Sequence, residues 1–267
     1  MNNLNEPKEI VPKLSENYLS GPIGNKLVEI IEEHPLTKFI DELMAKSFIK
    51  HAKDGMFPIL LKNNVNFNVD GIYEMEYSLL QDICTKMDEI GADNLVFTFV
   101  EVDQDNEFLE MNTVGNGNIL YAVASLVKGN KIVENEYNYL VINVKKGLTL
   151  DNLNITYADK KKLRDSYIKY SHKILKDYFS INGKNTQFIY YHIDDIKKTL
   201  VDENGRCDTF KVYLCEISDV EKVISEYDSS LTIRPEVYRE HFQFRERQMT
   251  LVFNSEDRYY DMGGLRP

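Results

Sequence analysis

Hydrophobic positions fall into two rhythms along this chain, and the rhythms alternate without a regular beat. Leu36, Phe39, Ile40, Leu43, Met44 and Phe48 recur at helical spacing, which predicts a helix over 36–52 that starts after Pro35 and stops near Gly55. An earlier, shorter period at 26–33 predicts a first helix. The run 57–62 reads as a strand. Ser78 as an N-cap and Gly91 as a stop bracket a helix over 79–90, and LVFTFVEV at 95–102 is a strong strand pattern. Segments 119–127 and 137–144 read as two strands joined around Gly129-Asn130.

The clearest helical period lies at 159–179. Leu163, Tyr167, Ile168, Tyr170, Ile174, Leu175, Tyr178 and Phe179 project to one side at 100° per residue, and Lys162, Lys169, Lys173 and Lys176 to the other. Beyond it, 187–193 reads as a strand, and 199–217 as a hairpin closed by Asp202-Glu203-Asn204-Gly205. Ser218 with Glu221 forms a capping-box pattern for a short helix to Tyr227. Thr232-Ile233 and 248–254 read as late strands, and the tail after Arg258 has no period. The mixture predicts an α+β fold with a mixed or mainly antiparallel sheet, packed helices and an N-terminal helical appendage. The expected organisation is an extended or poorly ordered arm at 1–22, which carries Pro7, Pro12 and Pro22, a helical segment at 23–55, and a single α+β domain at 56–267.

Composition narrows the class further. Hydrophobic residues make up 43% of the 267 positions and charged residues 28%, which is globular rather than disordered usage. No run approaches the length of a membrane span and no signal-peptide pattern opens the chain, so the expectation is a cytoplasmic protein with no membrane partner. Cys84, Cys207 and Cys215 are an odd number without a CxxC pair, which fits packed reduced thiols. Abundant Asn, Lys and Ile with no Trp suggests a bacterial or phage source with an AT-rich genome.

Charge changes the picture most. The net charge of −11 is confined to 65–120, which holds twelve acids (Asp70, Glu74, Glu76, Asp82, Asp88, Glu89, Asp93, Glu101, Asp103, Asp105, Glu107 and Glu110) against the single base Lys86. The remainder of the chain is balanced. Such a segment suits engagement of a basic partner surface, because complementary charge steers association and rejects wrong partners. The reading that follows is a non-enzymatic protein-binding protein, of the inhibitor or immunity type, with no cofactor. Asp103, Asp105, Glu107 and Glu110 are its partner-binding residues.

The alternative is a metal-dependent phosphodiesterase or nuclease. Strand alternation would place Glu101, Asp103 and Asp105 on one face, where carboxylate oxygens suit Mg²⁺. The lysines Lys162, Lys169, Lys173 and Lys176 would then grip phosphate, and nucleic acid would be the partner of that helix face. Other catalytic patterns are incomplete. Phe108 stands where an EF-hand loop needs glycine, and Asn143 stands where an acid-x-lysine metal site ending at Lys145 needs its acid. The sequence has no HExxH, GxSxG or phosphate-loop signature. Val114-Gly115-Asn116-Gly117 reads as a turn, and His192-Ile-Asp194 lacks the further ligands of a zinc site.

Overall fold

In the computed structural model, the residues described are 40–113, 117–129, 136–179, 183–227, 230–231, 233, 235–242, 245–256, 258–260 and 264–266. The expected arm, the helix at 26–33, the start of the helix at 36–52, the 114–116 part of the glycine turn, Asn130 and Thr232 lie outside them.

The fold is α+β, and among the described residues every pairing between two strands is antiparallel, with one isolated parallel bridge from Asn66 to Ile119. One sheet runs β1 (Ile72–Glu76), β7 (Thr209–Glu216), β8 (Met249–Ser255) and β9 (Arg258–Tyr260). The other runs β10 (Gly264–Arg266), β6 (Phe188–His192), β2 (Asn94–Val102), β3 (Ile119–Val127), β4 (Asn138–Tyr139) and β5 (Asn154–Ile155). All nine residues of β2 and all nine of β3 are buried, which explains why both read as unbroken apolar runs. The sheets meet in a shared core at Phe97, Tyr191 and Phe253, whose ring centroids lie 5.6–5.7 Å apart in edge and tilted contacts.

The N-terminal helical segment is built into this core, because Met44, Phe48 and Met56 are fully buried. It is longer than the sequence indicates: α1 (Glu42–His51) runs through a π-turn (Ala52–Met56) into α2 (Phe57–Lys62). The expected strand at 57–62 is therefore a helix. Its apolar run is too short for periodicity to separate the two states, and Phe57 and Leu60 bury at helical spacing. Pro58 lacks an N–H and would crowd the carbonyl four residues back. The widened turn preceding it relieves that crowding, and Gly55 lies inside the turn rather than ending a helix.

Helix α3 (Tyr77–Ile90) ends, as expected, on Gly91 in the left-handed conformation at φ 66°. Its N-cap is Glu76 rather than Ser78. Strand β4 is only two residues long, and Leu140–Ile142 continue as buried chain without a strand partner assignment. After the short helix α4 (Leu150–Leu153), the single helix expected at 159–179 is two, α5 (Tyr157–Lys169) and α6 (Ser171–Tyr178), broken at Tyr170 with φ −116° and ψ −80°. Tyr167, Leu175 and Phe179 are buried as expected, but Tyr170 and Tyr178 are about half exposed. The break rotates the second helix relative to the first, so one helical wheel cannot describe both.

The expected 199–217 hairpin is also corrected. Helix α7 (Ile193–Glu203) carries Ile196 and Leu200 into the core, and β7 follows after a turn. The His192 ring accepts the Asp194 N–H at 3.3 Å as its N-cap. Helix α8 (Val220–Tyr227) starts where the capping pattern indicates, but the cap is Asp219, whose Oδ1 accepts the Lys222 N–H at 3.1 Å. Helix α9 (Pro235–Phe242) completes the helices; Ile233 lies in a bend rather than a strand, and β9 and β10 form in the tail where no period is visible.

Candidate functional site

The twelve acids of 65–120 divide into three kinds. Nine are exposed, Glu76 and Asp93 are half-buried, and Glu101 is buried. On α3, Asp88 pairs with Lys197 at 2.7 Å and Glu89 with Lys86 at 3.0 Å, and Asp70 lies 3.8 Å from Lys53. Asp103, Asp105, Glu107, Glu110 and Glu74 are exposed, and none of them has an ion pair among the described residues. These five surround one ordered loop. The Asn106 N–H bonds to Asp103 O at 3.2 Å and the Leu109 N–H to Asn106 O at 3.2 Å. Asn143, at φ 50°, joins this loop to β1: its carbonyl accepts the Glu110 N–H at 2.7 Å, and its side chain accepts the Glu74 N–H at 2.6 Å. Asparagine is the side-chain-bearing residue best suited to that backbone conformation. The ridge is bordered by the exposed Lys145, whose N–H donates to Phe108 O at 3.0 Å.

The structure does not bring the expected metal ligands together. Strand β2 ends at Val102, so the alternation that would align Glu101, Asp103 and Asp105 stops before the second of them. Glu101 instead turns inward. One of its oxygens accepts both the N–H and the hydroxyl of Ser171, and the other accepts Asn118 Nδ2 at 3.2 Å. Among the described residues no group of three His, Cys, Asp or Glu side chains is placed to hold a metal ion. The expected phosphate-gripping lysines are all exposed, distributed over α5 and α6. Lys162 lies 3.5 Å from Asp159, and Lys169 stands over the Tyr170 ring at 4.9 Å. The three cysteines are free thiols, with Cys84 and Cys215 buried.

Two buried polar groups escaped sequence reasoning. Lys160 sits on the apolar side of α5, where its ammonium donates to Ser125 Oγ at 2.7 Å, and Ser125 in turn donates to Asn138 Oδ1 at 2.8 Å. Burial holds its pKa down at about 8, with Arg164 contributing. Glu203, at the end of α7, is fully buried and ties β8 and β9 together: it accepts Ser255 Oγ at 2.5 Å and the Tyr260 hydroxyl, and lies 3.4 Å from Arg258. No local pattern distinguishes either from an ordinary surface charge.

A concavity lies elsewhere, between α1, the π-turn, the end of β7, α8 and the Glu246-Arg247 turn. It measures about 700 Å³, within the range of small-molecule sites, and no residue of 65–120 lines it. At its base, Glu216 is 2% exposed, 3.6 Å from Arg247 Nε and 4.0 Å from His51 Nδ1. Burial raises the Glu216 carboxyl to about 7, against the opposing pull of Arg247. Burial likewise pushes His51 below its ordinary value. Arg247 holds φ at 65°, a strain of about 1 kcal/mol for a side-chain-bearing residue, and is fixed there by its N–H on Ile217 O at 2.7 Å. Perturbed titrations, backbone strain and a π-turn converge here, a combination common at functional sites.

Among the described residues no helix is long and apolar enough to cross a membrane. No protein-family model, no curated protein and no solved structure matches this chain.

Proposed function

We propose that this chain is a non-enzymatic protein-binding protein of the inhibitor or immunity type, acting in the cytoplasm of a bacterium or its phage, that engages a basic protein surface through the ridge of Asp103, Asp105, Glu107 and Glu110. The observation that carries this reading is that these acids stand exposed on an ordered loop without an ion pair among the described residues, while Asp88 and Glu89 of α3 are paired. An ordered, unneutralised set of like charges loses little conformational entropy on docking and gains from an opposite field. The bond from Asn143 to Glu110, and its side chain on Glu74, keep the two edges of the ridge in register.

The test is charge reversal at Asp103, Asp105 and Glu107 to lysine. Each side chain is exposed, so unfolding free energy should stay within about 0.5 kcal/mol of wild type. Association with a partner captured from host extract should slow by about tenfold or more at low salt, and its salt dependence should flatten. An unchanged association rate rules the ridge out as the docking surface. The metal-enzyme alternative has its own arm. If the purified chain hydrolyses a phosphodiester in Mg²⁺ or Mn²⁺, and Asp103→Asn with Asp105→Asn abolishes this, catalysis replaces binding as the function.

A further inference from the structure

The cleft around Glu216 is more elaborately built than a surface depression requires. Arg247 Nε and His51 Nδ1 stand 3.6 and 4.0 Å from Glu216 Oε1, the Arg247 side chain and the Met56 N–H favour the ionised carboxyl, and Oε2 is buried without a hydrogen-bond partner among the described residues. A buried polar group in that state is rare in folded proteins and asks for an explanation. The surrounding chain keeps the arrangement open. Gly55 faces the carboxyl from the π-turn, and a Cβ there would come within 3.3 Å of Oε2. Arg247 is held in its left-handed conformation with its guanidinium half exposed, and it also lies over the Phe179 ring at 5.6 Å.

Arg247 and His51 both face Glu216 Oε1, at 3.6 and 4.0 Å, and Lys222 lines the same cleft, so three nitrogen donors border a common space; Glu246 on the rim favours the His51 proton, and Arg247 and Lys222 oppose it. Lys222 has no carboxylate partner among the described residues. A group that accepts a guanidinium fork and two further donors, and that gains from the Arg247 and Lys222 charges, is a phosphate. Four carboxylates share the rim, Asp54, Asp219, Glu226 and Glu246. They oppose a polyanion, so the cleft selects a compact anion over a triphosphate or a nucleic-acid strand.

We propose that this cleft binds a small phosphomonoester, with Arg247, Lys222 and His51 on the phosphate and the Glu216 carboxyl behind them. This site is separate from the acidic ridge, and its test is independent of that reading. The groups facing Glu216 are Arg247 and Glu246 from the turn before β8, the Met56 N–H from the π-turn and His51 from α1 at 4.0 Å, while Asp54 of the π-turn and Lys222 of α8 share the cleft and act on His51. Ionising Glu216, as pH rises through about 7, places a negative charge beside the anion. Loss of the His51 proton acts in the same direction, so anion affinity falls with rising pH.

Isothermal titration of the full chain with inorganic phosphate, ribose 5-phosphate and inorganic sulfate tests this. Saturable binding at one site is expected, and sulfate, whose own charge is constant in this range, should bind more weakly at about pH 8 than at about pH 6. Arg247→Gly suits the φ at that position and should weaken phosphate by about tenfold. Lys222→Ala, an exposed change, should weaken it by about threefold. Glu216→Gln should retain sulfate binding and reduce its pH dependence. The proposal is overturned if none of the three anions saturates by about 10 mM. It is equally overturned if Arg247→Gly and Lys222→Ala proteins bind phosphate as wild type does, or if sulfate affinity does not fall with pH.

Discussion

The Glu101 carboxylate accepts the backbone N–H of Ser171 at 3.0 Å, and this contact joins the end of β2 to the first residue of α6. The Ser171 hydroxyl donates to the same oxygen, and Asn118 Nδ2 to the other. A carboxylate at a helix start satisfies N–H groups that have no partner within the helix and complements the positive end of its dipole. Glu101 thus holds the point where the chain leaves α5 and begins again, which is where one continuous helical period breaks.

Removing that carboxylate should therefore destabilise the fold, not merely alter a surface. Glu101→Ala leaves the Ser171 N–H and hydroxyl and the Asn118 amide without their acceptor, and an unsatisfied buried donor costs about 1–3 kcal/mol. Glu101→Gln keeps one oxygen and should lose about half as much. Equilibrium urea unfolding measures both. A wild-type midpoint for Glu101→Ala would mean the cap contributes nothing.

The break at Tyr170 makes a second prediction, because it redistributes which aromatic and aliphatic positions matter. Leu175 is fully buried and Tyr178 about half exposed, although both lie on the apolar side of an unbroken wheel. Leu175→Ala should cost about 3 kcal/mol and Tyr178→Ala less than about 0.5 kcal/mol. Comparable losses at the two sites would mean that Tyr178 is packed as Leu175 is. Thermal melts of the two variants give the comparison directly.

Lys160 predicts a pH dependence of stability. Its pKa is about 8 in the folded protein against an ordinary 10.5, so the unfolded chain binds this proton more tightly. Where the unfolded state binds more protons, stability rises with pH, and here the window runs from about 8 to about 10.5. Below that window the cost of charging Lys160 is fully present, and the shift corresponds to about 3 kcal/mol at most. Lys160→Met removes the titrating group and leaves Ser125 paired with Asn138. The free energy of unfolding of wild type relative to Lys160→Met should therefore climb between about pH 7.5 and pH 9.5. A constant difference across that range would show that the lysine is not desolvated.

Some of this was legible in the residues alone. The α+β class, the strands at 95–102 and 119–127, the Gly91 stop and the exposure of most of the acids follow from local chemistry: unbroken apolar runs, a residue that tolerates φ 66°, and charges too costly to bury. Segments whose signal is short were misassigned. Phe57–Lys62 and Ile193–Glu203 carry few apolar positions each, and their state was decided by the π-turn around Pro58 and by Ile196 and Leu200 burying at helical spacing.

What the sequence by itself determined was where charge accumulates and which stretches must leave water, because both depend on residue type and near neighbours. Only the tertiary structure decided the partner of each charge. Glu101, Glu203, Glu216 and Lys160 look like ordinary surface residues in the chain, yet each is buried by segments distant in sequence: Ser171 closes on Glu101, Tyr260 on Glu203 and Ser125 on Lys160, while Arg247 stands 3.6 Å from Glu216. The electrostatic energy of a side chain depends on its desolvation and on the few groups within several ångströms. Chain proximity does not specify those groups, so the acids that dominate the sequence remained at the surface while the cleft formed around one that did not stand out.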